Sequence, residues 1–298
     1  MKLANVPITM LGGDLRELEL AKTLLDYEVD LRLVGFPPMS VISRAKHFAD
    51  AVEAVRGAKF VLGPMSNTDM DGRIFNRLDQ LDPIDLVEVI KHLPKETYLL
   101  IGVAKPIIVK MASKHQIKII ETAEIDDIAI LNSIPTAEGA IQLAMEELPI
   151  TIHSSKCLVV GYGRCGMTLA RSLAALGAKV TVASRKAADI ARIIEMGYTP
   201  LPLADLYSQV DFDVIFNTVP ALVLTKQYLK KLSRSVLIID IAASPGGVDY
   251  NTANDLGIKA ILALSLPGKV APITAGQILS DCIPRLLIEL LGGDQGAS

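Results

Sequence analysis

One stretch in the second half of the chain restricts the possible folds more than any other. An apolar run at 156–161 ends in a turn that contains Gly161, Gly163 and Gly166, and an amphipathic segment then leads to a second apolar run at 179–183. The spacing G-x-G-x-x-G allows a tight turn, a close approach of the backbone to a pyrophosphate, and close packing of the helix on its strand. Because a strand precedes the turn and a helix follows it, the context favours a nucleotide-binding turn over a tight turn without a ligand.

Two further residues of the turn, Arg164 and Cys165, belong to the same predicted cofactor site. They begin a helix whose first amides can donate to phosphates. A helix N terminus can lower the pKa of a thiol, but a small packing residue is the more common role of such a cysteine. We therefore expect Cys165 to shape the turn rather than to react.

The second strand of this unit ends in Ser184, Arg185 and Lys186. A chain that binds NAD usually has Asp or Glu there, which accepts hydrogen bonds from the ribose 2′-OH. A hydroxyl, a planar guanidinium and a flexible ammonium suit a 2′-phosphate instead. The sequence therefore favours NADP over NAD, with the alternative that Arg185 and Lys186 are only the solvated start of a helix.

Short apolar runs alternate with amphipathic segments along the whole chain. Strands are predicted at 6–14, 30–38, 59–66, 97–106, 116–121, 156–161, 179–183, 212–217, 235–241 and 258–262, and helices in the first half at 16–28 and 44–56. Strands that alternate with helices pair in parallel through right-handed crossovers. We predict an α/β protein with two Rossmann-like, doubly wound parallel sheets.

The predicted domains follow from this alternation. A helix that Pro135 and Thr136 begin and Pro149 ends should connect the two sheets. An apolar C-terminal helix, kinked at Pro284, should pack back on the connecting helix or on the first domain. The resulting division is a substrate domain at 1–134, a linker helix at 135–150, an NADP-binding domain at 151–273 and the C-terminal helix at 274–298.

The composition excludes several classes of function. A net charge of −3 gives no reason to expect nucleic acid as a partner, and no apolar run approaches the ~18 residues that a membrane helix needs. Three cysteines are too few and too scattered for a disulfide framework, and no metal-ligand spacing is present. We expect a cytoplasmic protein without a metal, and a homo-oligomer as the common default.

Several stretches resemble known families. "FNTVPALVL" at 216–224, "IDIAASPGGVDY" at 239–250 and "LSLPGKVAPITAGQIL" at 264–279 resemble the nicotinamide-side loops of alanine dehydrogenases and 2-hydroxyacid dehydrogenases. With "LGGDLRELELAKTL" at 11–24 and "PTAEGAIQLAMEEL" at 135–148, the whole chain is similar to the A subunits of dipicolinate synthase. The resemblance implies an oxidoreductase of sporulating bacteria, active in the mother cell. It would convert dihydrodipicolinate, a lysine-pathway intermediate, to dipicolinate with a nicotinamide cofactor and a flavoprotein-like B subunit.

A dicarboxylate substrate calls for cations on strand-end loops, in a cleft between the two domains. Arg16 is the first candidate for a carboxylate clamp, with an exposed helix-start arginine as the alternative, and Lys105 is the second. Ser66 and Asn67 would add hydrogen bonds, and Asp14 is either a proton acceptor or a helix N-cap. The nicotinamide side of the predicted site comprises Asn217, Thr218, Val219, Pro220, Ala243 and Pro267.

Two other functions stay open at this point. The C-terminal loops would look alike in an alanine-dehydrogenase-like enzyme that acts on amino or keto acids. The chain could also be a non-catalytic protein that senses NADP for a partner, although polar residues at the strand ends of the first domain count against this. None of the four histidines stands where a 2-hydroxyacid dehydrogenase needs its catalytic His–carboxylate pair, and the general base is left unassigned.

Overall fold

The computed structural model describes residues 3–78 and 82–295, with the backbone alone for the last two. The chain divides into two compact units. Unit 1 comprises Met1–Leu131 and Ala271–Ser298, and unit 2 comprises Asn132–Val270. Unit 1 is thus built from two separate stretches of the chain, and unit 2 lies in the sequence between them.

Each unit contains a six-stranded sheet whose neighbouring strands are all parallel. The strands of unit 1 are β1 (Pro7–Leu11), β2 (Asp30–Val34), β3 (Lys46–Phe48), β4 (Phe60–Leu62), β5 (Arg73–Ile74), β6 (Ile84–Asp85), β7 (Tyr98–Ile101) and β8 (Lys118–Glu121). Those of unit 2 are β9 (Lys156–Val160), β10 (Lys179–Ser184), β11 (Thr199–Pro202), β12 (Val214–Asn217), β13 (Leu237–Asp240) and β14 (Lys259–Leu262). β5 and β6 form an antiparallel pair outside the main sheet. The predicted α/β fold class is confirmed.

The strand order of both sheets has the same form. It is β3-β2-β1-β4-β7-β8 in unit 1 and β11-β10-β9-β12-β13-β14 in unit 2. In each sheet the order reverses beside the first strand, between β1 and β4 and between β9 and β12. Doubly wound sheets bind ligands outside the carboxyl ends of their strands at such a switch point. The loops that follow these four strands are therefore the places where functional residues are expected.

The helices cover both faces of the two sheets. They are α1 (Leu15–Asp26), α2 (Ala51–Ala54), α3 (Leu86–Lys91), α4 (Pro106–His115), α5 (Asp126–Glu147), α6 (Arg164–Ala175), α7 (Ala187–Glu195), α8 (Lys226–Leu229), α9 (Tyr250–Leu256), α10 (Leu266–Val270) and α11 (Pro272–Gln295). No helix of the described part of the chain combines the length and the apolar character needed to cross a membrane.

The C-terminal helix α11 completes the core of unit 1. Leu279 and Ile283 of α11 belong to the same buried cluster as Leu24 of α1. The two helices approach each other closely at Gly276, where a Cβ would lie only 2.7 Å from the Cβ of Glu19. Burial of the apolar faces of α1 and α11 against each other stabilises unit 1. Part of the core of unit 1 therefore comes from a helix that follows unit 2 in the sequence.

The helix predicted to begin at Pro135 begins earlier. α5 starts at Asp126, and Pro135 lies inside it. Asp126 and Asp127 occupy its first turn, where the positive end of the helix dipole favours acidic side chains. Proline removes one backbone hydrogen bond inside a helix, and here the Thr136 hydroxyl donates to the Asn132 carbonyl at 2.7 Å in the same turn. The proline and threonine that looked like an entry signal are therefore interior residues.

Two other predictions of secondary structure were wrong. The segment 44–56 is not one helix, because it contains the edge strand β3 followed by the four-residue helix α2, and His47 lies on this strand. The strand β11 was not predicted, because its sequence Thr-Pro-Leu-Pro is a poor strand pattern. Proline is tolerated at the edge of a sheet, which is where β11 lies.

Candidate functional site

The glycine turn follows β9 at the switch point of unit 2. Gly161 has φ +99°, and a Cβ there would lie 2.3 Å from Thr218 Oγ1. A Cβ at Gly166 would lie 2.2 Å from the Gly161 carbonyl oxygen, so α6 packs directly on the turn. A Cβ at Gly163 would meet no protein atom within 4 Å. The backbone at Gly163 thus borders open space at the start of α6, as a pyrophosphate site requires.

The other two residues of the turn, Arg164 and Cys165, are half-buried at the start of α6. Burial raises the pKa of the Cys165 thiol, and the charge of Arg164 lowers it less. The thiol therefore stays protonated at neutral pH. Cys165 fits the expected role of a packing residue in the turn.

An acidic residue lies close to the end of β10, although the strand end itself carries none. Ser184 is buried, and its hydroxyl donates to Asp189 Oδ2 at 2.6 Å. Arg185 and Lys186 are exposed between them. Sequence reasoning missed Asp189, because it comes from the first turn of α7 rather than from the strand.

A buried hydrogen-bond network connects the ends of β12 and β13. Asp240 and Asn217 are both fully buried. The Asp240 carboxylate accepts hydrogen bonds from Asn217 Nδ2 at 2.8 Å, the Ala242 amide at 3.1 Å, the Gly247 amide at 2.7 Å and the Tyr250 hydroxyl at 2.8 Å. Asn217 also accepts from the Val219 amide and donates to its carbonyl. Together these side chains fix the two loops that follow β12 and β13. Asp240 was not identified from the sequence.

The remaining residues predicted on the nicotinamide side lie on these loops or on α10. Thr218 and Val219 are half-buried beside the glycine turn, where Thr218 Oγ1 donates to the Val160 carbonyl at 2.9 Å. Pro220 and Ala243 are exposed, and Pro267 is half-buried in α10. Asn217 turns its side chain into the buried network, so its role is to hold the loop.

In unit 1, the structure brings three predicted residues into direct contact at the switch point. Asp14 is the N-cap of α1, and Arg16 donates to it through Nε at 2.9 Å and Nη2 at 2.7 Å. Arg16 Nη2 also donates to Ser66 Oγ at 2.6 Å. Arg16 is only 5% exposed, so the alternative of an exposed helix-start arginine was wrong. The group joins the loop after β1 to the loop after β4.

The electrostatics of this group keep both partners charged. Burial raises the pKa of Asp14, but the hydrogen bond and charge of Arg16 outweigh burial, and the pKa lies below its ordinary value. Burial lowers the pKa of Arg16, but the hydrogen bond to Asp14 and the charge of Glu17 raise it above the ordinary value. The guanidinium is thus fixed in one orientation by Asp14 and Ser66, and the Asp14 carboxylate balances its charge.

Glu17 is a further member of the group that sequence reasoning missed. Its buried carboxylate accepts from the Asp14 amide at 2.8 Å and from the Met65 amide at 2.9 Å. Burial raises its pKa to about 7, while the charge of Arg16 lowers it and that of Asp14 raises it. The sequence signal was the Asp14-x-x-Glu17 pattern of a capping box. Glu17 ties the first turn of α1, which carries Arg16, to the loop that carries Ser66.

Glu17 should make the stability of unit 1 fall as the pH rises. Because burial raises its pKa from 4.5 to about 7, the folded chain holds a proton over this interval that the unfolded chain has released. The stabilisation is fully present below the unfolded pKa and is lost as the pH rises through the folded one, up to about 3 kcal/mol. Asp14 does not contribute in this window, because its pKa is lowered from 3.8.

Urea unfolding at about pH 5 and about pH 8 measures this loss. The wild-type chain should lose stability between the two values, and Glu17→Gln, which does not titrate, should lose much less. If both proteins lose the same free energy of unfolding between the two pH values, Glu17 is ionised at both, and its hydrogen bonds outweigh the effect of burial on its pKa.

The other two residues predicted in unit 1 are less closely tied to this group. Asn67 has φ +72°, a left-handed conformation that asparagine tolerates, and its carbonyl accepts from the Phe75 amide at 2.8 Å. Lys105 is half-buried at the N terminus of α4. The loop before it packs against the loop after β4, because a Cβ at Gly102 would lie 2.0 Å from the Met65 carbonyl oxygen.

Comparisons with known proteins agree with this architecture. Residues 7–123 match the family model for the N-terminal domain of the dipicolinate synthase A subunit, and residues 136–245 match "D-isomer specific 2-hydroxyacid dehydrogenase, NAD binding domain". The dipicolinate synthase A subunit of Bacillus subtilis strain 168 is 38% identical over 291 residues, which are 97% of this chain and 98% of that protein.

Solved structures give the same result. The crystal structure of the dipicolinate synthase A subunit from Bacillus halodurans superposes with a TM-score of 0.90 at 37% identity, over 96% of this chain and 98% of the other. An L-alanine dehydrogenase superposes with a TM-score of 0.65 over 95% of this chain and 90% of the other. At 12% identity this second likeness shows the fold alone.

Proposed function

The chain belongs to the family of dipicolinate synthase A subunits, and from that premise we propose that it oxidises dihydrodipicolinate to dipicolinate with NADP, together with a B subunit. Its dehydrogenase-type nucleotide-binding unit makes it oxidoreductase-like. The observation that carries the proposal is the buried Arg16, held by Asp14 and Ser66 at the carboxyl edge of the sheet of unit 1. We propose the mother cell of a sporulating bacterium as its place of action.

The residues of unit 2 fit a nicotinamide coenzyme. The turn at Gly161, the open space at Gly163 and the amides at the start of α6 would hold the pyrophosphate. Arg185 and Lys186 would hold a 2′-phosphate, which is the reason for proposing NADP. When bound, the coenzyme supplies the hydride acceptor. The network around Asp240 would keep the loops after β12 and β13 in one conformation for the nicotinamide.

The polar group of unit 1 fits a small diacid. Asp14 and Ser66 hold Nε and Nη2 of Arg16, so Nη1 is the group that would donate to a carboxylate of the substrate. Ser66 adds a hydroxyl to the same position, and Lys105 is the candidate for the second carboxylate. Asp14 is a weak base, because Arg16 lowers its pKa. We therefore assign Asp14 the orientation of Arg16 rather than removal of the substrate proton.

The test is oxidation of dihydrodipicolinate by the purified full-length chain, with and without the B subunit, followed by the absorbance of the reduced coenzyme. Arg16→Lys keeps the charge, but an ammonium cannot hold Asp14 through two parallel hydrogen bonds and also donate to the substrate in the same place, so the KM for the diacid should rise at least about 30-fold. The Kd for NADP should not change. Arg44→Lys is the matched control, because Arg44 is an exposed arginine of unit 1 that pairs with Asp26.

Three outcomes would contradict the proposal. Turnover of pyruvate and ammonia in place of the diacid would indicate an enzyme of the alanine dehydrogenase type. Tight binding of NADP without oxidation of the diacid, even with the B subunit, would indicate a protein that only senses the coenzyme. An unchanged KM in Arg16→Lys would remove Arg16 from the diacid site.

A further inference from the structure

We propose that Asp189 sets the coenzyme preference of unit 2 by opposing a 2′-phosphate. It provides, from α7, the acid that the end of β10 lacks, and it limits the advantage that Arg185 and Lys186 give to NADP. The proposal rests on the coenzyme function proposed above for unit 2. Its consequence is a chain that accepts both coenzymes and prefers NADP only moderately.

One hydrogen bond fixes the donor and acceptor roles at the end of β10. Ser184 has a single hydroxyl proton, and Asp189 Oδ2 at 2.6 Å accepts it. The oxygen of Ser184 can then only accept further hydrogen bonds, as can the Asp189 carboxylate. A ribose 2′-OH is a donor that both can bind, whereas a phosphate dianion offers them acceptors alone. The end of β10 therefore has the hydrogen-bonding character of an NAD site.

Asp189 also adds a negative charge beside this strand end. Asp189 occupies the first turn of α7, where the helix dipole favours a negative side chain. Within the described ranges 3–78 and 82–295, no ion pair with Lys or Arg neutralises Asp189. Its carboxylate is half-buried and held in place by Ser184. A 2′-phosphate bound beside Ser184 would lie close to this fixed negative charge.

The two cations after β10 are placed where solvent weakens their effect. Arg185 and Lys186 are both exposed, and water and salt weaken the attraction of exposed charges for a phosphate. Two exposed cations therefore compete with one half-buried anion at the same strand end. Removing the anion should strengthen the binding of NADP much more than that of NAD.

The experiment measures Kd for NADP and for NAD by calorimetry on the full-length chain. Asp189→Asn keeps an oxygen that accepts from Ser184 and removes the charge. We expect the Kd for NADP to fall about tenfold and the Kd for NAD to change less than about threefold. Glu195→Gln is the matched control, because Glu195 is an exposed acid of the same helix that pairs with Arg192. It should leave the ratio of the two Kd values unchanged.

A second variant tests the acceptor role separately. Ser184→Ala keeps the negative charge and removes the hydroxyl, so the Kd for NAD should rise about threefold to tenfold while that for NADP changes less. Circular dichroism of each variant checks that it is folded. If Asp189→Asn is unfolded, an unchanged Kd for NAD in Ser184→Ala overturns the proposal.

The failures of the two proposals are distinguishable. If the wild-type chain binds coenzyme and folded Asp189→Asn shows an unchanged or weaker affinity for NADP, Asp189 does not determine preference and the coenzyme function stands. If the wild-type chain binds neither coenzyme, the coenzyme function fails, and the proposal for Asp189 is overturned with it.

Discussion

Replacing Asp240 with alanine should lower the free energy of unfolding of unit 2 by about 4 kcal/mol or more. The reason is the number of buried donors that lose their acceptor. The Asn217 amide, the Tyr250 hydroxyl and two backbone amides all donate to this carboxylate, which is fully buried. A buried donor without a partner costs about 1–3 kcal/mol, so even the lower figure gives a large loss over four donors.

The same change should weaken coenzyme binding in whatever fraction of the protein stays folded. The loops after β12 and β13 are fixed through Asp240, and they contain Val219 and Gly247. Without the Asp240 carboxylate as their common acceptor, both loops can adopt other conformations. Ordering the loops again when the coenzyme binds costs free energy, which lowers the affinity for the coenzyme.

Circular dichroism during urea unfolding measures the stability, since the chain has no Trp to provide a fluorescence signal. Asp255→Ala, an exposed acid of α9, is the control and should change the stability by less than about 0.5 kcal/mol. A loss of less than about 1 kcal/mol in Asp240→Ala would mean that water replaces the carboxylate and that the network is not a structural requirement.

Alanine substitutions at Gly161 and Gly163 should affect the free energy of unfolding and the Kd for NADP differently. At Gly161 the left-handed φ costs about 1–3 kcal/mol for any other residue, and the new Cβ would lie 2.3 Å from Thr218 Oγ1. We expect Gly161→Ala to lose stability and to raise the Kd for NADP at least about 100-fold, because the turn must move away from the phosphate position.

Gly163→Ala should have a different result. The added Cβ meets no protein atom within 4 Å, so the stability should be nearly unchanged, whereas the Cβ occupies space that a pyrophosphate needs. Gly197→Ala is the control for backbone strain, since Gly197 has φ +79° with open space around it. It should cost about 1 kcal/mol and leave the Kd for NADP unchanged. Full binding by Gly163→Ala would show that the turn does not hold the pyrophosphate.

The elements that sequence alone predicted are those with strong local signals. The strands β1 and β9 are short and mostly apolar, with sequences Pro-Ile-Thr-Met-Leu and Lys-Cys-Leu-Val-Val, and the glycine turn at Gly161 has a fixed spacing. The start of α5 was missed because proline usually begins or ends a helix, and nothing local shows that Pro135 is tolerated inside one. β3 was missed because three residues with exposed Lys46 and His47 pair as an edge strand only after β2 is in place.

The site shows the same division between local and tertiary signals. Arg16 and Ser66 were chosen because each follows a strand, and the parallel sheet brings those strand ends together. Glu17 and Asp240 were missed because their importance comes from burial and from donors such as the Met65 amide and the Asn217 amide, which are distant in the sequence. Asp189 was missed because it comes from α7 rather than from the end of β10. An acidic residue has the same letter whether it lies in water or accepts four hydrogen bonds in a protein interior.

The division of unit 1 into two stretches has a consequence for how the protein is made. During translation the ribosome releases all of β9 to β14 before it releases α11. The nucleotide-binding unit can therefore fold on the nascent chain, while α1 must wait with its apolar face uncovered. Until α11 emerges, that face is the natural binding surface for a chaperone, and premature termination within α11 would leave a folded unit 2 attached to an incomplete unit 1.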